Sequence, residues 1–171
     1  MQTLTENKIY YNKNGVIIRE TQITDIFLMC DLLRETDKNE IWASHHHTPE
    51  EALRLSYEMS TLCLTINIKG IPIAMFGIAP QTLLSDSAII WLLATDDFDG
   101  LIKKKRKEFF IQSKVFIKFM LEQYSLLENY VDARNIPSVK WLKWCGATIE
   151  EAHLYGVEQL PFYHFYFRRD N

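Results

Sequence analysis

The sequence predicts an α+β fold in which a mixed, mostly antiparallel β-sheet is flanked by helices on both faces. The chain has 171 residues, a length that suits one domain with its own core. Apolar residues make up 47% and charged residues 24%, which excludes a disordered or collagen-like chain. Short β-branched segments and amphipathic segments follow in the order β, α, α, β, β, β, α, β, α, β, β.

The first part of the chain predicts an extension, one strand and one helix before a loop. Residues 1–15 are polar and end in a turn cluster, so we expect an N-terminal extension followed by one domain over residues 16–171. Residues 16–19 are β-branched and predict a strand. A helix capped near its start is expected over residues 24–35. Residues 37–47, with three consecutive histidines, are expected to form a loop.

A strong helix-start signal follows the histidines. Thr48 can cap the helix, Pro49 occupies the first helical position, and Glu51 can close a capping box. This helix is expected to run to about residue 60.

The middle of the chain predicts the centre of the sheet. Residues 61–68 and 71–78 are expected to form two strands joined by a tight turn at Lys69-Gly70. Residues 88–94 (AIIWLLA) form a continuous apolar run, which is typical of a strand covered on both faces. An acidic and then basic loop is expected over residues 96–107. The remaining predicted elements are a long helix over 108–124, a strand over 127–133, a short helix from 135 to 146, and strands over 148–152 and 162–168.

Charge and cysteine content narrow the class of protein. The net charge is −3, whereas a dedicated nucleic-acid binder usually carries a broad positive excess, so nucleic acid is not an expected partner. The chain has three cysteines, and their spacing does not suggest disulfide pairs. We therefore expect reduced thiols in a cytoplasmic protein. The polar N-terminus does not resemble a signal peptide, and the apolar runs are too short to span a membrane. We therefore expect a soluble intracellular domain and no membrane partner.

The element order and several motifs resemble the GCN5-related N-acetyltransferase (GNAT) family over roughly residues 16–168. Residues 70–77 (GIPIAMFG) resemble the hairpin that leads into the third strand of that family. Residues 135–146 (NIPSVKWLKWCG) are similar to its C-terminal N-x-x-S helix. GNAT-like proteins of tailed phages, of the type named for an internal virion or assembly protein of T7-like phages, are more similar still. Segments that carry this closer likeness are residues 40–43, 74–77, 91–96, 127–135 and 155–158.

The resemblance implies acetyl-CoA as the cofactor, held by a loop that is degenerate in this chain. The family places an Arg/Gln-x-x-Gly-x-Gly/Ala loop between the fourth strand and the long helix, where its backbone N–H groups cradle the pyrophosphate. In this chain Gly100 stands in place of the Arg or Gln, and Lys103 stands in place of the first glycine. By the same resemblance, the residues expected to bind the cofactor arm are Leu92, Leu93 and Ala94, through backbone groups, and Asn135. Asn135 has an equally weighted alternative role as a helix N-cap.

The basic run of residues 103–107 has two interpretations. Lys103, Lys104 and Lys105 could contact phosphate groups of CoA or of nucleic acid. Alternatively, and with greater weight, the run is a solvated helix start whose charge is balanced by the three aspartates within residues 96–99.

Candidate catalytic groups are few. The position of the tyrosine that commonly acts as general acid in the family is Leu142, so Tyr155 is the substitute candidate, with a packed ring as its alternative role. Glu40 is the candidate base, although a surface carboxylate is an equal alternative. The three histidines diverge in a loop and lack a second ligand cluster, so no metal is expected, and a substrate or partner contact is preferred.

Two functions therefore remain open at this stage. The first is an acetyl-CoA-dependent N-acyltransferase that acts on an amine of a small molecule or protein. The second is a catalytically silent phage protein with a virion-structural or assembly role, whose partners are phage structural or assembly proteins. A phage-encoded protein of either kind is expected in the host-cell cytoplasm or in the virion.

Overall fold

The computed structural model describes residues 7–170, which form one eight-stranded sheet and six α-helices. The strands are β1 (Ile9–Lys13), β2 (Val16–Glu20), β3 (Leu62–Ile68), β4 (Ile71–Pro80), β5 (Ser87–Ala94), β6 (Leu126–Asp132), β7 (Thr148–Tyr155) and β8 (Leu160–Arg168). The helices are α1 (Ile23–Met29), α2 (Glu35–His45), α3 (Pro49–Met59), α4 (Asp96–Lys104), α5 (Arg106–Leu121) and α6 (Ile136–Cys145). None of them is long and apolar enough to cross a membrane.

The sheet has the strand order β1-β2-β3-β4-β5-β6-β8-β7, and only β5 and β6 run parallel to each other. This confirms the mixed, mostly antiparallel sheet that the sequence predicts. The β5–β6 pairing is confined to residues 87–89 of β5 and 126–128 of β6. Beyond these three pairs the two strands separate, which opens a gap in the middle of the sheet.

Two hydrophobic cores lie on opposite faces of the sheet, as predicted. Met75 on β4 packs with Ile26 and Leu53 from α1 and α3. The next residue along β4, Phe76, points to the other face, because side chains alternate along a strand. There it joins the core that contains Ile117 of α5.

The capping box predicted before α3 is confirmed. The Thr48 hydroxyl accepts a hydrogen bond from the Glu51 N–H at 3.3 Å, and the Glu51 carboxylate accepts one from the Thr48 N–H at 2.8 Å. Pro49 is the first residue of the helix.

Strand β1 is absent from the sequence-based prediction, which assigned its residues to a polar extension. In the structure β1 pairs antiparallel with β2 and forms one edge of the sheet. Residues 1–6 of that extension lie outside the described residues. A domain boundary at residue 16 stays a prediction.

The loop predicted over residues 37–47 is wrong, because α2 occupies most of it. Asp37, Ile41 and Ala43 are buried, and one of these three is a carboxylate. The helix therefore lacks the apolar stripe by which an amphipathic helix is recognised in a sequence. The helix ends at His46, which adopts the left-handed conformation common at helix C-termini.

The loop predicted over residues 96–107 is also wrong, because it contains α4 and the start of α5. Phe98 is 2% exposed and anchors α4 to the core beneath it. Three aspartates occupy the first turn of α4, and Lys103 and Lys104 occupy its last turn. Both groups complement the helix macrodipole. These two lysines therefore lie at a helix C-terminus, whereas the sequence predicted a helix start for the basic run.

Candidate functional site

The gap between β5 and β6 opens into a cleft of about 470 Å³ on the α2–α3 side of the sheet. Glu40 of α2, Trp91 of β5, Tyr130 of β6, Asn135 and Tyr155 all line it. Glu40, Asn135 and Tyr155 are separate candidates in the sequence, and the structure brings them to one cleft. The prediction that β5 is covered on both faces is not met along its whole length, since Ile89 remains 36% exposed although it pairs with β6.

The exposed edge of β5 offers backbone groups to the cleft. The carbonyl of Ile90 points away from β4 and accepts a hydrogen bond from Asn129 Nδ2 at 2.8 Å. Residues two apart on an antiparallel strand point their N–H and C=O groups to the same side. The backbone of Leu92 is therefore turned towards the gap, whereas that of Leu93 is turned towards β4.

Both backbone polar groups of Ala94 are already occupied. Its N–H donates to the Asp37 carboxylate at 2.8 Å, and its carbonyl accepts a hydrogen bond from the Arg34 N–H at 2.9 Å. Of the three β5 residues predicted to meet a cofactor arm, Leu93 thus turns its backbone groups to β4, Ala94 has its own engaged by Asp37 and Arg34, and Leu92 presents its groups to the cleft.

A buried ion-pair network holds the start of α2 against the start of α4. The Arg34 guanidinium contacts Asp37 at 2.9 Å and Asp99 at 2.9 Å. Arg34 is 13% exposed and Asp37 is 5% exposed. Burial raises the pKa of Asp37 and outweighs the opposing effect of Arg34. The network fixes α4 directly after β5.

The family resemblance places the pyrophosphate loop between β5 and the long helix α5, and α4 occupies this segment; the first turn of α4 is acidic. Thr95 links β5 to α4, and its N–H and hydroxyl both donate to the carbonyl of Ile73. Asp96, Asp97 and Asp99 lie in the first turn of the helix. Three carboxylates at a helix N-terminus neutralise the positive end of the helix dipole and repel other anions.

Lys103, Lys104 and Lys105 lie at the opposite end of α4. A helix of nine residues is about 13 Å long, so these lysines do not surround its N-terminus. Lys103 and Lys104 are exposed, and the Lys105 ammonium donates to the carbonyl of Asn14 at 2.9 Å. They stand instead before the long helix, where Lys105 is the N-cap of α5, and their contact with cofactor phosphates stays a prediction.

Glu40 and Asn135 meet across the cleft. The Asn135 side-chain amide donates to the Glu40 carboxylate at 3.2 Å, while its carbonyl oxygen accepts from the Ser138 N–H at 3.4 Å. Burial raises the pKa of Glu40 to about 7, the Asn135 hydrogen bond opposes this rise, and the nearby charge of Asp37 adds to it. Asn135 is thus the N-cap of α6 and also a contact of the candidate base.

Tyr155 lies flat against Tyr130, with ring centroids 4.0 Å apart and ring planes 12° apart. Burial raises the pKa of Tyr155, and Tyr130 adds to that rise. A raised pKa keeps the hydroxyl protonated at neutral pH, as an acid requires. The packed-ring alternative also describes this stacking, so the geometry suits both roles.

The three histidines lie at the end of α2, beside the turn between β7 and β8. His46 stacks on Trp42 with centroids 4.5 Å apart and contacts the Glu158 carboxylate. The turn is attached to α2 through the Val157 and Glu158 N–H groups, which donate to the carbonyls of Ser44 and Ala43. Within residues 7–170, no group of three or more potential ligands is arranged to hold a metal ion.

Aromatic side chains join α5 to α6 on the other face of the sheet. Phe109 stacks on Trp141 with centroids 5.9 Å apart, and the Trp141 indole N–H donates to the Ser113 hydroxyl at 3.2 Å. Phe110 contacts Trp144 with centroids 4.4 Å apart. An apolar cavity of about 140 Å³ lies between these helices and the sheet.

Comparison with known proteins identifies a family by sequence and a shared fold by structure. The family model described as "Bacteriophage T7, probable scaffold protein Gp13" matches residues 62–154. The "Probable scaffold protein gp13" of Escherichia phage T7 is 28% identical over 121 residues, which cover 67% of this chain and 80% of that protein.

Solved structures share the fold at low sequence identity. Ard1 from Thermoplasma volcanium superposes with a TM-score of 0.68 at 18% identity, over 92% of this chain and 99% of that chain. Spermidine N-acetyltransferase from Vibrio cholerae, solved with CoA and spermine, gives a TM-score of 0.64 at 12% identity, over 91% and 96% of the two chains. The sheet and its flanking helices therefore have the GNAT acetyltransferase fold.

Proposed function

This chain belongs to the family of the bacteriophage T7 scaffold protein Gp13, and from that premise we propose that it is a phage assembly protein that keeps the GNAT fold without using acetyl-CoA. The observation that carries the proposal is the acidic start of α4. Asp96, Asp97 and Asp99 occupy the first turn after β5, and farther along the same segment Lys103 replaces the first glycine of the cradle.

Electrostatics at this turn favour the proposal. A pyrophosphate group is an anion, and it binds at helix N-termini through free N–H groups and a positive dipole. In the first turn of α4, the negative charges of Asp96, Asp97 and Asp99 already offset the positive end of the helix dipole. Arg34, which contacts this turn, is already paired with Asp37 and Asp99. Cofactor phosphates placed at this turn would add negative charge beside its carboxylates.

The partners of such a protein are phage structural or assembly proteins, and it would act in the host-cell cytoplasm or in the particle. The phage T7 relative is named a probable scaffold protein, and this name supports structural or assembly proteins as the partners.

A phage complementation assay tests this proposal. Phage that lacks the gene should yield fewer particles, and Glu40→Gln should restore the yield as well as the wild-type chain does. Glu151→Gln, at an exposed carboxylate on β7, is the control. Normal particle yield without the gene would overturn the assembly role. Failure of a folded Glu40→Gln variant, with Glu151→Gln still active, would instead indicate a chemical role for that carboxylate.

A second candidate function, N-acetylation of an amine, is favoured by the state of Glu40. A carboxylate whose pKa is raised to about 7 can accept a proton from a protonated amine near neutral pH. The amine nitrogen would then attack the thioester carbonyl carbon of acetyl-CoA. The carbon–sulfur bond breaks, and the thiolate takes a proton, with Tyr155 as the candidate donor. Leu92 and Asn135 are the residues best placed to meet the cofactor arm.

Thiol release from acetyl-CoA in the presence of a polyamine or a lysine peptide measures this second activity. If the chain is an acetyltransferase, the rate rises with pH through about 7 and is lost in Glu40→Gln. A rate equal to that of buffer excludes the activity for those acceptors.

A further inference from the structure

Charge is strongly segregated between the two faces of the sheet, although the net charge of the chain is only −3. Residues 103–121 and 136–145, which comprise the end of α4, α5 and α6, contain nine basic residues and one acidic residue. The basic residues are Lys103, Lys104, Lys105, Arg106, Lys107, Lys114, Lys118, Lys140 and Lys143. The single acidic residue, Glu108, is engaged by the Tyr11 hydroxyl. We call this surface the basic face; the aspartates at the start of α4 and Glu122 after α5 border it.

The opposite side has the opposite sign. Residues 23–59, which comprise α1, α2 and α3, contain eight acidic residues and three basic ones. The exposed acidic side chains are Asp31, Glu35, Glu50, Glu51 and Glu58. The three basic residues are each paired with a carboxylate of the same segment, namely Arg34 with Asp37, Lys38 with Glu35, and Arg54 with Glu50. We call this surface the acidic face.

Each face also exposes large apolar side chains among its charges. On the basic face, Ile111 is 49% exposed and Val115 is 53% exposed, and they lie one turn apart on α5. On the acidic face, Phe27 is 54%, Leu28 is 57% and Leu32 is 58% exposed. Apolar side chains surrounded by charged ones are typical of a protein–protein interface.

We propose that the basic face of one copy of this chain binds the acidic face of a second copy. Complementary charge argues for a second copy as the occupant, because a single contact accounts for both surfaces. In that contact Val115 and its neighbours meet Leu28 and its neighbours, while Lys107 and Lys118 approach Asp31 and Glu58. This contact between copies adds a mechanism to the proposed assembly role, and its biological purpose rests on that proposed role.

The position of the faces determines the form of the assembly. They lie on opposite sides of the sheet, so the contact is head-to-tail and leaves one basic and one acidic face free after each addition. Such contacts produce rings or filaments rather than closed dimers. An assembly of this kind can grow with concentration.

Sedimentation velocity at rising protein concentration tests the contact. We expect species larger than the monomer at about 50 mM salt and a return to monomer at about 500 mM, because salt screens contacts between exposed charges. A monomer at all concentrations in low salt would overturn the inference. Nuclease treatment of the sample distinguishes another occupant: loss of the large species after nuclease would assign the basic face to nucleic acid and overturn the contact between copies.

Charge-reversal variants make the test specific. Lys107→Glu/Lys118→Glu and Asp31→Lys/Glu58→Lys should each remain monomeric, because like charges then meet in every possible head-to-tail pair. Mixing the two double variants should restore the large species, since each altered face then finds its complement. Lys69→Glu/Glu151→Lys, at exposed positions outside both faces, should assemble like the wild-type chain. If the mixture stays monomeric, the faces are not partners.

Failure of this inference is distinguishable from failure of the proposed function. A chain that stays monomeric but supports phage yield has another assembly partner. A chain that self-associates but proves dispensable for particle yield overturns the assembly role alone.

Discussion

The side-chain amide of Asn135 donates a hydrogen bond to the carboxylate of Glu40 at 3.2 Å, and this bond spans the cleft between α6 and α2. The two residues are 95 positions apart in the sequence. Through its other polar atom, Asn135 caps α6 at Ser138. One side chain therefore sets both the start of a helix and the environment of the carboxylate whose pKa is raised to about 7.

Asn135→Ala removes the cap and the contact with Glu40. We expect a loss of about 1–2 kcal/mol in the free energy of unfolding, measured by urea denaturation. Since the amide opposes the rise in the Glu40 pKa, its removal should raise that pKa further. Asn135→Ser keeps a capping hydroxyl but shortens the side chain, so it should recover part of the stability. Equal stability of Asn135→Ala and the wild-type chain would contradict the double role. In the second candidate function, Asn135→Ala should also reduce acetyl transfer.

Arg34→Ala should be severely destabilising. It leaves the Asp37 carboxylate buried without its cation and frees Asp99 from α2, and breaking a buried pair in this way costs about 3–5 kcal/mol. Lys38→Ala breaks the exposed pair with Glu35 and should cost less than about 1 kcal/mol. Thermal unfolding of both variants measures the difference. Similar small losses in the two would mean that the network does not hold α4 in place.

Glu40 should make the chain less stable as the pH rises from about 4.5 to about 7. Its pKa is higher in the folded state than the ordinary value of 4.5, so folding favours the protonated form. The stabilisation is complete below the ordinary pKa and is lost as the pH rises through the folded pKa. Glu40→Gln removes this titration and keeps an acceptor for Asn135. Its free energy of unfolding should equal that of the wild-type chain at pH 4 and exceed it by about 1–3 kcal/mol at pH 8. The lower end of this range applies if solvent reaches the Glu40 carboxylate and screens its charge. An unchanged pH dependence of urea unfolding would refute the assigned titration.

Two glycines should respond in opposite directions to alanine. Gly156 has φ 74°, and a Cβ there would lie 2.5 Å from the carbonyl oxygen of Ala43, so Gly156→Ala should detach the β7–β8 turn from α2 and lower the melting temperature. Gly100 lies within α4, and a Cβ added there would have no atom within 4 Å, so Gly100→Ala should add about 0.5–1 kcal/mol. Stabilisation by both substitutions would show that the turn does not rest on α2.

Local sequence signals predicted most of the sheet. The Lys69-Gly70 turn, the capping box at Thr48 and the Asn135 cap depend on neighbouring residues, and all three are present in the structure. Helices α2 and α4 were not predicted from the sequence. Helix α4 buries Phe98 among many charged residues, and α2 buries a carboxylate, Asp37, beside Ile41 and Ala43. The buried side of each helix can be recognised only when the core beneath it is known.

The sequence indicates individual candidate residues for the site, but it does not show that they lie together in one cleft. Glu40, Asn135 and Tyr155 line one cleft because β6 diverges from β5, and no local pattern reports that divergence. The ion-pair network of Arg34 was not foreseen, since Asp99 lies 65 residues away. Helix α4 separates Lys103, Lys104 and Lys105 from the end of β5, and their role at a cofactor stays a prediction.

A melting curve with and without millimolar acetyl-CoA tests the central claim most directly. The acidic start of α4 predicts no change in melting temperature, with desulfo-CoA as a control for effects of the nucleotide. A ligand present at a hundred times its dissociation constant adds about 2.7 kcal/mol to the folded state, which is roughly 5–10 °C for a chain of this size. A shift of that size with acetyl-CoA would contradict the proposed function and favour the acetyltransferase.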